Sequence, residues 1–295
     1  MNQFKTVALL GLLSALLISA SYWLIGGTGG AVIGVVIAAM MNLGSWFYSD
    51  KIALAAYRAQ PISPSQAPQL YAMVKRLSDR ANIPTPALYI VPGQAANAFA
   101  TGRDPEHAAV AVTQGIVDLL SADELEAVIA HELSHIINRD TLTQAVAATI
   151  AGAISFLAQI VSYTLWFGGG SRDENGPNPL AMLGTVLFAP MAATIIQLGI
   201  SRTREFAADE GSARLTGNPR ALASALQRLE ASARRMPMAA NPSFEPLLIM
   251  NALPKQLMSN LFSTHPSTQA RIQNLLDVEK TLKSSSPSRQ FLVRN

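Results

Sequence analysis

The chain has 295 residues, 49% of them apolar and only 14% charged, with a net charge of +3. Soluble domains usually carry about 25% charged residues, so neither a disordered chain nor a wholly water-exposed globule fits this composition. Cysteine is absent, which excludes disulfide frameworks, thiolate-bound zinc, iron–sulfur clusters and thiol nucleophiles.

In chain order, the charge-free stretch Thr6–Ser49 comes first. A membrane span needs about 20 apolar residues, so this stretch holds two, Val7–Ile25 and Ala31–Phe47, divided at Gly26-Gly27-Thr28-Gly29-Gly30. Gln66–Ala81 carries Leu70, Met73, Val74 and Leu77 at helical spacing and ends at Asn82-Ile83-Pro84. Ala87–Val91, Ala98–Thr101 and Ala108–Thr113 are short β-prone runs that predict a small sheet. Ser121 followed by Glu124 spells a capping box. The helix it opens meets no stop signal before Asp140 and is expected to continue into a third span.

Two further charge-free stretches, Thr141–Ser171 and Asn175–Ser201, hold the spans Thr143–Trp166 and Leu180–Ile200. Gly217 ends one helix, and Asn218-Pro219 opens the next, through about Arg234. Met236–Met250 reads as a mobile apolar loop, either a cover for a cleft or a plain surface loop. The Ser-rich, basic tail Lys280–Asn295 is expected to be loosely ordered.

These elements predict an α+β membrane protein with four transmembrane helices in two hairpins and a mainly helical polar part carrying a small sheet. The expected divisions are 1–48 for the first hairpin, 49–140 for the first polar part, 141–201 for the second hairpin and 202–295 for the second polar part. Lys51, Arg58, Arg139, Arg202 and Arg204 all flank the spans on one side, whereas the Trp166–Leu180 loop has Arg172 beside Asp173 and Glu174. Positive residues favour the cytoplasm, so both termini and both polar parts are expected there. The Arg202–Asn295 part is net basic, and beside a bilayer that balance suits anionic lipid rather than nucleic acid, for which no motif is present.

Chemistry concentrates in His131-Glu132-Leu133-Ser134-His135. At 3.6 residues per turn both imidazoles project from one helix face and can grip one metal ion, with Glu132 beside them. A catalytic zinc site wants three protein ligands and one open position. The third ligand must be His107, His265 or a carboxylate, and Glu205 is the strongest candidate. The third and fourth spans form a hairpin, so the chain leaves the membrane side at Asp140 and returns at Ser201, bringing His135 and Glu205 to similar depth. Asp209 falls one turn after Glu205 on the same face, able to accept a hydrogen bond from a ligand imidazole.

With Asn97-Ala98-Phe99-Ala100-Thr101-Gly102, His265-Pro266 and Arg271-Ile272, these motifs make nearly the whole chain resemble the HtpX proteases. Those are membrane-embedded zinc metallopeptidases related to the CAAX prenyl proteases. The resemblance implies a zincin-like cytoplasmic protease domain in a bacterial inner-membrane protein. It implies one Zn2+ held by His131, His135 and Glu205, with Glu132 as the base and Asp209 orienting His131. It places Asn97 and His265 near the scissile peptide and gives His107 no role. Its substrates would be misfolded or damaged membrane proteins and unfolded polypeptides. Glu132 would then deprotonate a zinc-bound water, His265 would help stabilise the oxyanion, and an edge strand around Asn97–Thr101 would hold substrate backbone.

Overall fold

The computed structural model describes residues 2–22, 26–151, 202–238, 244, 247–250 and 266–285. The N-terminal pair is α1 (Asn2–Ser21) and α2 (Gly27–Ala56). They approach closely because Gly34 has no side chain: a Cβ there would lie 2.7 Å from the Ile18 Cα and 2.9 Å from the Ser21 Cβ. Asn42 Nδ2 donates to Ser14 Oγ across the pair at 2.8 Å. Among the described residues α2 is the one helix long and apolar enough to cross a membrane, with 30 residues and a mean hydropathy of 1.7. Val32, Ile33, Val35, Val36, Met40 and Leu43 all face outward from it.

The second helix begins inside the glycine run, at Gly27. Only Gly26 (φ 103°) and Gly27 (φ 57°) take left-handed conformations, and Thr28, Gly29 and Gly30 already belong to α2. Because α2 also runs on past Phe47 to Ala56, its last turns reach the sheet. Beyond residue 151 the third and fourth expected spans lie outside the described residues.

Four strands, β1 (Gln60–Pro61), β2 (Ala87–Val91), β3 (Ala98–Gly102) and β4 (Ala108–Thr113), form a sheet in the order β1-β2-β4-β3. β2 and β4 are parallel, and the β1–β2 and β3–β4 pairs are antiparallel. The central strand β4 reads Ala-Ala-Val-Ala-Val-Thr and is buried throughout, as a strand covered on both faces should be. β3 is an edge strand and is nevertheless buried along its length. Phe99 packs against Tyr57, which follows α2, with ring centroids 5.1 Å apart.

Helix α3 (Pro68–Ala81) opens on Pro68 and closes at Asn82 in the left-handed region, φ 54°. α4 (Gln114–Leu119) follows β4 directly, capped by the Thr113 hydroxyl. The Ser121/Glu124 capping box is present at the start of α5 (Ala122–Ile137). α5 does not continue into a span as expected. It stops at Asn138, Arg139 takes φ 55°, and a new helix, α6, occupies 140–151. Neither residue is Gly or Pro, so no stop signal marks this break.

α7 (Arg202–Thr216), α8 (Pro219–Arg235) and α9 (Thr268–Ser285) complete the described fold. α5 is the central element: Val128, Ile129, Leu133 and Ile136 share one core with Val74 and Leu77 of α3, Val110 and Val112 of β4, and Leu222, Leu226 and Leu229 of α8. Burying each such Leu or Ile contributes roughly 1.5–3 kcal/mol. α5 and α7 touch almost backbone to backbone, since a Cβ on Gly211 would lie 2.4 Å from Ser134 Oγ. Ser212 Oγ donates to the Ala127 carbonyl at 2.6 Å.

Two further expectations change. The Lys280–Ser285 stretch is helical, because Lys280 and Lys283 pair with Asp277 and Glu279 one turn earlier; residues 286–295 lie outside the described ones. The described part of Met236–Met250 is divided: Met236 is exposed, as a surface loop would be, whereas Phe244 and Leu247–Met250 are buried in the core.

Candidate metal centre

The α5–α7 contact sets the geometry of the centre. His131 and His135, one turn apart on α5, and Glu205, in the first turn of α7, bring their donor atoms within 4.8 Å of one another, all buried. The two Nε2 atoms are 3.2 Å apart. Glu205 Oε2 is 3.8 Å from His131 Nε2, and Oε1 is 3.6 Å from His135 Nε2. Donors about 2.0–2.1 Å from a tetrahedral ion stand about 3.3 Å apart, so the cluster matches such a cage.

The other ring nitrogens support the fit. His131 Nδ1 lies 3.0 Å from Asp209 Oδ1, and His135 Nδ1 lies 3.2 Å from Asp140 Oδ2. Each buried carboxylate accepts a hydrogen bond from Nδ1–H, which leaves the two Nε2 lone pairs facing each other. That juxtaposition is repulsive in a dry interior unless a cation lies between them. Burial lowers His131 to about 4, with Arg271 adding to the shift and Asp209 opposing it. His131 is therefore neutral at neutral pH, the form that binds metal. Burial also pushes His135 down, but Asp140, Glu205 and Glu132 outweigh it and raise it overall.

Glu132 sits between His131 and His135 in sequence, and its carboxylate receives the Ala100 N–H of β3. Burial raises it to about 7; Glu205 adds to the rise, while His135, Ala100 and Arg271 oppose it. Such a carboxyl exchanges protons near neutrality.

Three residues that no spacing argument singled out complete the centre. Asp140 lies five positions after His135, about 140° away around a continuous helix. The break at Asn138-Arg139 turns it back onto His135. Arg204 is buried with Nη1 3.9 Å from Asp140 Oδ1, so it balances that carboxylate. Arg271, which entered only through the resemblance, is 1% exposed. It grips Asp209 with Nε–Oδ2 at 2.9 Å and Nη2–Oδ1 at 2.6 Å. This bidentate ion pair, together with the hydrogen bond from His131, outweighs burial and holds Asp209 below its ordinary value. One signal was available: Arg271 and the fully buried Leu275 are one turn apart on α9, so a cation stands on the apolar stripe of an amphipathic helix.

Of the other expected site residues, Asn97 is buried and its carboxamide is committed to the main chain of Ala98 and Met250. His107 is exposed and pairs with Asp104 at 2.6 Å. His265 lies outside the described residues.

Residues 64–279 match the sequence model of a family described as Peptidase family M48. A "Protease HtpX homolog" of Trichormus variabilis is 73% identical over 95% of this chain and 98% of its own. That of Nostoc punctiforme is 70% identical over 97% and 99%, and that of Pyrococcus furiosus 47% over 92% and 94%. Among solved structures, S. mikatae Ste24p aligns with a TM-score of 0.47 at 21% identity, over 82% of this chain and 57% of that one.

Proposed function

The chain belongs to peptidase family M48, among the HtpX proteases, and on that premise we propose that it is a membrane-integrated, zinc-dependent endopeptidase. Its substrates would be misfolded or damaged membrane proteins and unfolded polypeptides, cut at the cytoplasmic face of a bacterial inner membrane. The observation that carries the reading is the buried His131, His135 and Glu205 cage with the Glu132 carboxyl beside it. Two imidazoles and one carboxylate form the donor set of catalytic zinc, with a fourth position left for water.

An ion bound there would supply a water acidic near neutrality and a Lewis acid for the peptide carbonyl. Asp209 and Asp140 hold the two imidazoles with Nε2 unprotonated; Arg271 keeps the Asp209 carboxylate charged, and Arg204 lies beside Asp140. Glu132 takes the proton of the attacking water and returns it to the leaving amine nitrogen. His265 is assigned to the oxyanion, and Asn97 to the substrate backbone. The outward apolar face of α2 supports membrane insertion. Four spans in two hairpins, with both polar parts cytoplasmic, complete the proposed topology.

The test is metal analysis of the detergent-purified full chain, coupled to cleavage of an unfolded polypeptide with and without chelator. One zinc per chain and chelator-sensitive cleavage are expected. Stoichiometric zinc without chelator-sensitive cleavage would overturn the reading.

A further inference from the structure

The edge strand β3 is already largely occupied by the protein itself. Thr113 N–H donates to the Asn97 carbonyl at 3.0 Å, which sets the parity of the β3–β4 ladder. Residues 97, 99 and 101 therefore exchange bonds with β4, while Ala98, Ala100 and Gly102 turn their main-chain groups outward, where an extended chain would pair. Ala98 N–H is taken by Asn97 Oδ1 at 3.0 Å, and the Ala98 carbonyl by Ile249 N–H at 3.0 Å. Ala100 N–H goes to Glu132. The Gly102 carbonyl accepts from Thr141 Oγ1 at 2.8 Å. Only the Ala100 carbonyl and Gly102 N–H face outward with no partner among the described residues.

The segment that occupies the upstream end is held in an unusual manner. Every main-chain group of Ile249 and Met250 is bonded. Ile249 N–H meets the Ala98 carbonyl, and the Ile249 carbonyl accepts from Arg271 Nη1 at 3.1 Å. Met250 N–H reaches Asn97 Oδ1 at 3.4 Å, and its carbonyl accepts from Asn97 Nδ2 at 3.1 Å. None of these bonds reads the identity of Ile249 or Met250. They hold a dipeptide backbone that follows a bend at 248–250, between the strand that contacts Glu132 and the arginine that holds the His131 partner.

We propose that Leu247–Met250 is an internal strap seated on the substrate-backbone edge, and that an extended substrate chain takes over its bonds to Ala98 and Asn97 when it docks. The proposal deepens the peptidase reading and rests on it. The bonds exchanged are backbone to backbone, so any unfolded segment can compete, and a folded chain cannot present one. Occupation by the strap keeps the cleft closed to chance contacts until an extended chain displaces it. Arg271 loses its Ile249 acceptor at the same moment, while its grip on Asp209 keeps the His131 side of the cage in place.

Hydrogen exchange on the full chain in detergent tests this directly, using the Glu132→Gln variant so that nothing is cleaved. The probe is a reduced, carboxymethylated polypeptide that stays unfolded. On its addition the Ile249 and Met250 amides should exchange at least about tenfold faster, while those of β4 stay unchanged. Turnover gives a second arm. Leu248 is 1% exposed, and Leu248→Ala removes packing that holds the strap. If release limits docking, kcat/KM for the same polypeptide should rise about fivefold, because the competent fraction rises.

Unchanged or greater protection of the strap in the polypeptide-bound protein would overturn the proposal. So would a lower kcat/KM in a Leu248→Ala chain that keeps its zinc, since a fixed wall behaves that way. A chain that binds the polypeptide, frees the strap and never cleaves would support the strap and count against the peptidase reading alone.

Discussion

Asp140→Asn is the sharpest probe of the metal centre, because Asp140 acts on a ligand without touching the ion. Its carboxylate is 1% exposed and accepts the His135 Nδ1 proton at 3.2 Å. A buried hydrogen bond to a charged group contributes about 1.5–3 kcal/mol. At about 1.4 kcal/mol per decade, losing the charged part weakens zinc by roughly 10–100-fold, as outer partners of ligand histidines generally do. The amide can also turn its NH2 toward His135, which moves the imidazole proton to Nε2 and blocks ligation. Arg204 then keeps a buried charge without its carboxylate, so the apo protein should lose stability as well. A competition titration against a chromophoric chelator measures the zinc affinity, and thermal melting of the apo chain measures the second effect. Unaltered zinc affinity in a correctly folded variant would refute the assignment of Asp140 to His135.

Base and ligand should separate cleanly: Glu132→Gln keeps zinc and loses turnover by about 10²–10⁴-fold, while Glu205→Ala loses activity and most of the metal, as metal analysis beside a cleavage assay will read. A Glu205→Ala chain with full zinc and normal turnover would leave His265 as the next candidate ligand. Arg139→Gly should be neutral or mildly stabilising in thermal melts, because Arg139 has φ 55°; in a continuous helix the same change would cost about 1 kcal/mol. Burial pushes the Glu124 carboxyl up, but bonds from Ser224 and Ser121 and the charge of Arg228 outweigh it and hold it below its ordinary value near 4.5. Its contribution is therefore complete above about pH 4.5 and lost as pH falls through the lowered value, so the melting difference from Glu124→Gln, worth about 1 kcal/mol at neutral pH, should shrink on acidification. A difference that stays constant through that range would contradict the linkage.

Local physics was legible in the chain. The Ser121/Glu124 capping box, the i and i+4 imidazoles of His131 and His135, and the β-prone runs at Ala87–Val91 and Ala108–Thr113 each depend on neighbours a few residues away, so residue type and spacing suffice to write them. Placing Glu205 beside the two imidazoles needed one topological step, the expected return of the chain beside its point of departure. Beyond that, tertiary structure decided. The break at Asn138-Arg139 has no Gly or Pro to announce it, and it exists where Asp140, turned back, meets both His135 and Arg204. Arg271 lies 62 positions from the carboxylate it grips, and the strap at Ile249–Met250 lies 153 positions from the Asn97 that holds it. Such pairings leave no period in the sequence, because buried charges and main-chain groups take whatever partner the packed core brings within hydrogen-bond reach.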